Sequence, residues 1–318
     1  MDQVTMDQVT LGRTGLRVGV MGLGAGGHSR LGQSQGKSEA ESIAVVRRAL
    51  ELGANLIDTA EAYKTEPIVG KALANVPRDS FVLSTKKGPR DGDRLISADE
   101  YRAGVETGLQ RLNMDYVDIL HVHGVKPHEY SHVREEIVPV LLKLRDEGKV
   151  RWLGITENFT SETKHEMLVM ALKDKVWDVM MVGFNLLNHS ARHTVFPETQ
   201  AQNIGTLCMF AVRRALSKPD ALKELLDELA KTGQIDLAGY NKDEPLDFLT
   251  APGVASSLTE AAYRYCRHEP GMDVVLSGTG SINHLEENAR ALQMPPLPQH
   301  ALDRVNKLFA RVDTVSGN

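Results

Sequence analysis

Short apolar runs alternate with amphipathic helical patterns along nearly the whole chain, and this alternation constrains the fold more than any other feature. The runs predict strands at Val18–Met21, Asn55–Ile57, Phe81–Thr85, Val117–His123, Val150–Thr156, Val179–Phe184, Thr206–Met209 and Val274–Ser277. Between them, Glu39–Leu52, Ser97–Leu112, Val133–Glu147 and Leu258–Arg267 space their apolar residues as helices do. Ser97-Ala-Asp-Glu100 has the form of a capping box, in which serine and glutamate each satisfy a free backbone donor. Strands alternating with helices argue for a parallel sheet. Eight strands are the number that closes one into an α/β barrel, with a doubly wound open sheet as the competing architecture. Barrels of this kind reach 318 residues as single units. The expected fold is a (β/α)8 TIM barrel over residues 11–318.

Two segments stand outside the rhythm. Met1–Thr5 (MDQVT) is repeated as Met6–Thr10, so residues 1–10 are set apart as a duplicated segment without an assigned function. From Phe210 to about Leu258 no strand is predicted, only the charged helical segment Asp220–Lys231 and a turn-rich stretch around Asn241–Gly253. Insertions this long are usually functional or mobile. This one follows a strand, which puts it at the C-terminal face of a barrel, and a lid over the site is expected.

Composition narrows the function. Hydrophobic residues make up 42% and charged residues 25%, as in ordinary soluble domains. The net charge of -5 offers no basic field for nucleic acid or an anionic membrane. No apolar run reaches the roughly 18 residues of a membrane span. Asp2 and Asp7 stand where a secretory signal wants basic and then apolar residues. Cys208 and Cys266 fit neither a disulfide framework nor a zinc motif, so a reducing, cytoplasmic setting and no metal are expected. The triplets Asn158-Phe-Thr160 and Asn188-His-Ser190 match the glycosylation pattern but are read as chance.

In a barrel, catalytic groups come from the C-terminal ends of several strands. Asn55–Ile57 runs into Asp58, Phe81–Thr85 into Lys86, and Val117–Val122 into His123, while Tyr63 follows in the loop after Asp58. These strands are neighbours, so the four side chains converge at one sector of the mouth. Together they suit proton transfer at a carbonyl or alcohol oxygen. A free phenol has a pKa of about 10, and a neighbouring ammonium favours its ionised form. An aspartate pairs with the lysine, and a histidine polarises the substrate oxygen. Taken singly, Asp58 fits a turn cap, Tyr63 a half-buried aromatic and Lys86 a solvated residue. His121 and His123 share a face of one strand. His123 is nearer the strand end, and His121 is expected to be a satisfied interior histidine.

At this point the chain resembles the aldo-keto reductase family, from about Leu11 to Leu292. Leu-Gly-Arg-Thr-Gly-Leu at 11–16 is similar to that family's barrel-floor hairpin. Asn55-Leu-Ile-Asp-Thr-Ala-Glu-Ala-Tyr63, Leu83-Ser-Thr-Lys86 and Asp115-Tyr-Val-Asp-Ile-Leu-His-Val-His123 resemble its aspartate-to-tyrosine segment, lysine strand and histidine strand. Gly148-Lys-Val-Arg-Trp-Leu-Gly154 looks like its fifth strand, and Gly278-Thr-Gly-Ser-Ile-Asn-His-Leu-Glu-Glu-Asn288 like its adenosine-phosphate segment. The resemblance implies a nicotinamide-dependent oxidoreductase with Asp58, Tyr63, Lys86 and His123 as catalytic tetrad and Tyr63 as general acid or base. It implies that Thr156 contacts the nicotinamide carboxamide. The turn of Gly278, Thr279, Gly280 and Ser281 would hold phosphate at a helix start, with Glu287 and Asn288 at the adenine. Gly24, in the run Gly22-Leu-Gly24-Ala-Gly-Gly27, would give backbone room beside the cofactor.

Departures from the family pattern fall on the cofactor side. Glu157 stands where asparagine is common, Met181 where glutamine holds the carboxamide, and Met209, followed by Phe210, where a ring stacks on the nicotinamide. A methionine packs on a ring through its polarisable sulfur but is a different surface. Val212 and Arg213, with Arg214, would lie along the phosphates. Gly278 and His284 occupy places where lysine and arginine often grip a 2'-phosphate. The family's habit favours NADP(H), with NAD(H) as the alternative. The partner would be a small carbonyl or alcohol compound, such as an aldehyde, ketone or sugar lactol. A cofactor-binding regulatory protein, or a non-redox member that retains its cofactor, is the other reading. Residues 125–133, 210–257 and the tail after Leu292 are expected to line the substrate pocket, with His128, Tyr130 and His132 as a polar rim.

Overall fold

A computed structural model describes residues 6–318. Eight parallel strands close into a barrel: β1 (Met21–Gly24), β2 (Leu56–Asp58), β3 (Val82–Lys87), β4 (Val117–Val125), β5 (Val150–Glu157), β6 (Val179–Gly183), β7 (Gly205–Met209) and β8 (Val274–Ser277). Closure comes from β8 pairing with β1, Val275 opposite Met21 and Ser277 opposite Leu23. The open-sheet alternative is thereby excluded.

Side chains alternate across each strand and so sort into two layers. Leu56, Val82, Ile119, Val179, Met181, Leu207 and Val274 point inward and pack together in the barrel lumen. Their neighbours Ile57, Leu83, Leu120, Leu153, Ile155, Val182, Cys208 and Val275 point outward, into the core shared with the helices. Burying each large apolar side chain contributes about 1.5–3 kcal/mol. Two-step alternation thus fixes which strand-end residues reach the mouth of the lumen.

The floor differs from the expected first strand. Arg17–Gly19 pairs antiparallel with Gln8–Thr10, and the barrel strand begins only at Met21. Val18, Val20 and Met21 read as one apolar run, yet the chain passes from floor to wall within it. Val18 and Leu11 plug the bottom of the lumen. The second MDQVT copy therefore belongs to the domain: Met6 is buried and packs so closely on Gly53 that a β-carbon there would lie 2.6 Å from its side chain. The first copy, residues 1–5, lies outside the described residues.

The Ser97 capping box forms, with Glu100 accepting the Ser97 backbone N–H at 2.8 Å, and Ser38 with Glu41 makes a second. The insertion after β7 holds helices Arg214–Ser217 and Pro219–Lys231, the latter matching the predicted charged helix. Leu222, Leu226, Leu229, Phe248 and Leu249 are buried. Arg304, on the helix Gln299–Leu308, lies 4.0 Å from the Phe248 ring centre and 5.2 Å from that of Tyr240. The middle of the insertion is accordingly packed on the C-terminal helix, and its two ends reach the mouth.

The end of the chain returns to the barrel. Carbonyls of Asp313, Val315, Ser316 and Gly317 accept hydrogen bonds from Thr163, Asn188, Asn185 and the Ala215 backbone, at 2.6, 3.0, 3.1 and 3.0 Å. Those donors belong to the segments that follow β5, β6 and β7. Among the described residues, no helix is long and apolar enough to cross a membrane.

Candidate active site

A cavity of about 1450 Å³ opens at the C-terminal mouth of the barrel. Inward alternation carries Leu56 to Asp58, Val82 through Ser84 to Lys86, and Ile119 through His121 to His123. Lys86 is buried, and its Nζ donates to Asp58 Oδ2 at 2.5 Å and to the Thr59 carbonyl at 2.9 Å. The other oxygen of Asp58 accepts the Ser84 hydroxyl at 2.8 Å. Lys87, one residue on, faces outward and pairs with Glu61 at 2.6 Å.

Tyr63 ends a short 3-10 turn, Glu61–Tyr63, and its ring lies over the lysine, with Nζ 4.8 Å from the ring centre. Gly26 makes this possible, since a β-carbon there would come within 2.5 Å of the tyrosine ring. The Tyr63 hydroxyl is 3.5 Å from His123 Nε2, and the two rings meet edge to face. Asp58, Tyr63, Lys86 and His123 are thus brought together as the sequence predicts. His121 is interior, against Gly154, but it approaches the Ile155 backbone without a geometrically sound hydrogen bond, so it is not the satisfied residue expected.

Burial opposes charge on Lys86, but Asp58 and then Tyr63 outweigh it and hold the ammonium above its ordinary value. Burial, reinforced by Lys86 and Arg90, pushes His123 down to about 3, so it is a neutral imidazole at working pH. Burial likewise lowers His121 well below its ordinary value and His189 to about 4. Below pH 6.5 an unfolded chain takes up protons that these three folded residues refuse. Stability therefore falls on acidification, by up to about 1.4 kcal/mol per pH unit for each. Asp273, which burial pushes up to about 6, acts in the opposite direction below that pH. Between pH 7 and 5 a net loss of about 4 kcal/mol is expected, read as a lower urea midpoint. An unchanged midpoint would contradict the neutral, buried histidines.

The rest of the cavity runs from the tetrad to the helix Ile282–Gln293. Gly24, Thr156, Glu157, Met181, Met209, Phe210, Val212, Arg213, Gly278, Thr279, His284, Glu287 and Asn288 all border it. Thr156 accepts the Gly124 N–H at 2.7 Å, which leaves its own hydroxyl proton free to donate. Glu157 lies on the outward face of β5, and its side chain is enclosed in the wall. Phe210 has φ of 71°, a strained conformation for a side-chain-bearing residue. Its ring supports the Arg213 guanidinium at 3.8 Å, and Arg213 reaches across the mouth to Gly27.

Gly280 and Ser281 are not among the bordering residues. A β-carbon on Gly280 would lie 2.3 Å from the Gly32 backbone, and Ser281 caps its helix by accepting the His284 N–H. The polar rim expected at 128–132 is also elsewhere. Tyr130 is buried and bonded to Asp174 and Trp177, while His132 contacts the Ile96 carbonyl. Of the residues after Leu292, Met294 borders the cavity.

Sequence reasoning missed several bordering residues, among them Asn158, Lys218, Tyr263 and Arg290. Asn158 had been hidden by its glycosylation triplet. Tyr263 donates to or accepts from Ser277 Oγ at 3.2 Å, and Asn288 reaches the same hydroxyl at 2.9 Å.

A lysine–aspartate ion pair behind a tyrosine, at the mouth of an eight-stranded barrel, defines a class of proton-handling enzyme site. The model of the aldo/keto reductase family matches residues 19–310, and the chain belongs to that family. It is similar to L-galactose dehydrogenase of Arabidopsis thaliana, 28% identical over 96% of this chain and 95% of that protein. The aldo-keto reductase YhdN of Bacillus subtilis is 29% identical over 88% of this chain and 87% of its own length. Among solved structures, the holo form of the aldo-keto reductase AKR11C1 from Bacillus halodurans matches with a TM-score of 0.72 and 25% identity, over 95% of this chain and 96% of that one. An aldo/keto reductase from Klebsiella pneumoniae, solved with NADP and acetate, shares the fold with a TM-score of 0.71 and 22% identity, over 98% and 100% of the two chains.

Proposed function

We propose that the protein is a nicotinamide-dependent oxidoreductase acting on a carbonyl or alcohol group of a small molecule. The observation that carries this reading is the enclosed Lys86–Asp58 pair beneath Tyr63, with the neutral His123 beside its hydroxyl. Lys86 stabilises negative charge on the phenol oxygen, so Tyr63 can give a proton to a substrate oxygen or take one from it. His123, neutral, keeps one N–H to aim at the same oxygen. Asp58 keeps the lysine charged and immobile.

The cavity suits an extended dinucleotide. Thr156 offers a hydroxyl at the tetrad end, and Met181 and Met209 offer apolar surface. Arg213, which has no acidic partner in the structure, lies over the middle, where a diphosphate needs a cation. When bound, the nicotinamide would exchange hydride with the substrate carbon. At the far end, Lys218 and Arg290 are exposed beside His284 and favour the additional phosphate of NADP(H) over NAD(H). The substrate class extends to sugar lactols and secondary alcohols, a range supported by the likeness to L-galactose dehydrogenase.

Titration of NADPH and NADH into three proteins tests this assignment. Loss of a charge-assisted bond costs about 1.5–3 kcal/mol. Arg213→Ala is therefore expected to weaken both cofactors by roughly tenfold or more, since both carry the diphosphate. Arg290→Ala should weaken NADPH selectively. Equal affinity of the wild type for both cofactors would refute the NADP(H) preference.

A further inference from the structure

Behind the cavity wall lies a second pair of titratable groups, which the tetrad does not use. Glu157 follows Thr156 on β5 and points the other way, into the layer between strands and helices, where its side chain is fully enclosed. Both its oxygens lie 3.0 Å from His165 Nδ1, and Oε1 also accepts the Gly183 N–H at 2.8 Å. His165 is equally enclosed and has φ of 64°, a left-handed backbone that persists only where the surroundings enforce it. Its ring stacks on Phe159, 5.3 Å away with the planes 16° apart.

The proton positions follow from the hydrogen-bond network. Asn188 Nδ2 donates to the carbonyls of Thr163 and Val315, at 3.1 and 3.0 Å, which turns its Oδ1 toward Ser190. That oxygen accepts both the backbone N–H and the hydroxyl of Ser190, at 3.1 and 2.7 Å. The Ser190 proton is thus committed, and its oxygen faces His165 Nε2 at 3.1 Å as an acceptor. Nε2 therefore carries hydrogen. On the other side, a group that takes Gly183 N–H and faces Nδ1 with both oxygens acts as a carboxylate. Burial pushes the Glu157 carboxyl upward, and His165 opposes that rise most strongly. The pair is an imidazolium against a carboxylate, and the carboxylate is the member that borders the cavity.

We propose that this oriented pair sets the site's preference for the oxidised over the reduced nicotinamide. The inference rests on the nicotinamide reading above. An oxidised nicotinamide ring carries a positive charge and the reduced ring none, while the rest of the cofactor is unchanged. A fixed carboxylate in a water-poor wall favours the charged ring, and the imidazolium, one layer further out, cancels only part of the effect. Met181 and Met209 bring no competing charge, and Lys86 is neutralised by Asp58. On the enzyme, the bias draws the balance toward alcohol and oxidised cofactor.

The test is calorimetric titration of NADP+ and NADPH into wild type and Glu157→Gln, which keeps the size of the side chain and an acceptor for Gly183. The Kd for NADP+ relative to that for NADPH is expected to rise by about fivefold in the variant, with the NADPH value nearly unchanged. His165→Gln removes the proton carrier, lets the carboxyl protonate and should shift the ratio in the same direction. Parallel weakening of both forms, or an unchanged ratio, overturns the proposal and leaves the nicotinamide reading standing. Wild type that binds neither form overturns both. Nitrogen NMR of wild type supplies a check independent of either variant's folding. Both His165 ring nitrogens should be protonated at neutral pH, and a neutral ring would refute the charge assignment.

Discussion

Tyr63→Phe is expected to lower kcat by about 10²- to 10⁴-fold, the range in which a positioned general acid or base contributes, while cofactor affinity stays nearly constant. The substitution removes one oxygen and leaves the ring, so the contact with Gly26 and the seat over Lys86 survive. Only the group between the Lys86 ammonium and a substrate oxygen is lost. His123 cannot replace it: held near 3, its imidazole has no acidic proton to give at neutral pH. Turnover measured with a panel of carbonyl compounds and with alcohols should fall together in both directions, because the same oxygen serves both. A variant keeping more than about a tenth of wild-type kcat would assign the proton to another group.

Lys86→Met is expected to be the most damaging single change to the fold near the site. The wild-type pair is wholly enclosed, and removing one partner of such a pair costs about 3–5 kcal/mol, since the other charge is stranded without water. Asp58 would keep only the Ser84 hydroxyl. Adding Asp58→Leu to Lys86→Met should restore much of the stability, because paired apolar replacements of buried ion pairs are often neutral or better. It should restore no activity. Urea unfolding of the single and double variants beside their kcat separates the two roles. Full stability in Lys86→Met would show that the charges are less confined than the structure indicates.

The parts of this molecule that follow from two-step alternation were legible in the sequence. Polar residues ending apolar strands gave Asp58, Lys86 and His123, and alternation from the lumen residues explains why Lys86 and not Lys87 is the buried one. The same rule, applied to Glu157, would have turned its side chain into the wall, away from the cavity. Where a strand was not the organising unit, sequence pattern was weaker. The Val18–Met21 run conceals a change from floor to wall that only pairing with Gln8–Thr10 reveals. Arg213 meets Gly27 from the opposite side of the mouth, and Asn158 reaches the cavity from a loop. Such contacts depend on how loops are tied down. Gly280 and Ser281 read as phosphate ligands because a glycine-rich turn before a helix has the same composition whether it cradles an anion or packs on Gly32.

The returning tail has a further consequence for how this chain tolerates change. Asp313, Val315, Ser316 and Gly317 are gripped through their backbone carbonyls, so the barrel reads the path of the tail and not its side chains. Spelling there is free while spacing is not. A point substitution in 313–317 leaves every acceptor in place, except where a new side chain at Gly317 meets its positive φ of 84°. One inserted or deleted residue shifts all later carbonyls out of register with Asn188, Asn185 and Ala215 at once. Divergent relatives of this branch should therefore vary in letters but not in length over that stretch.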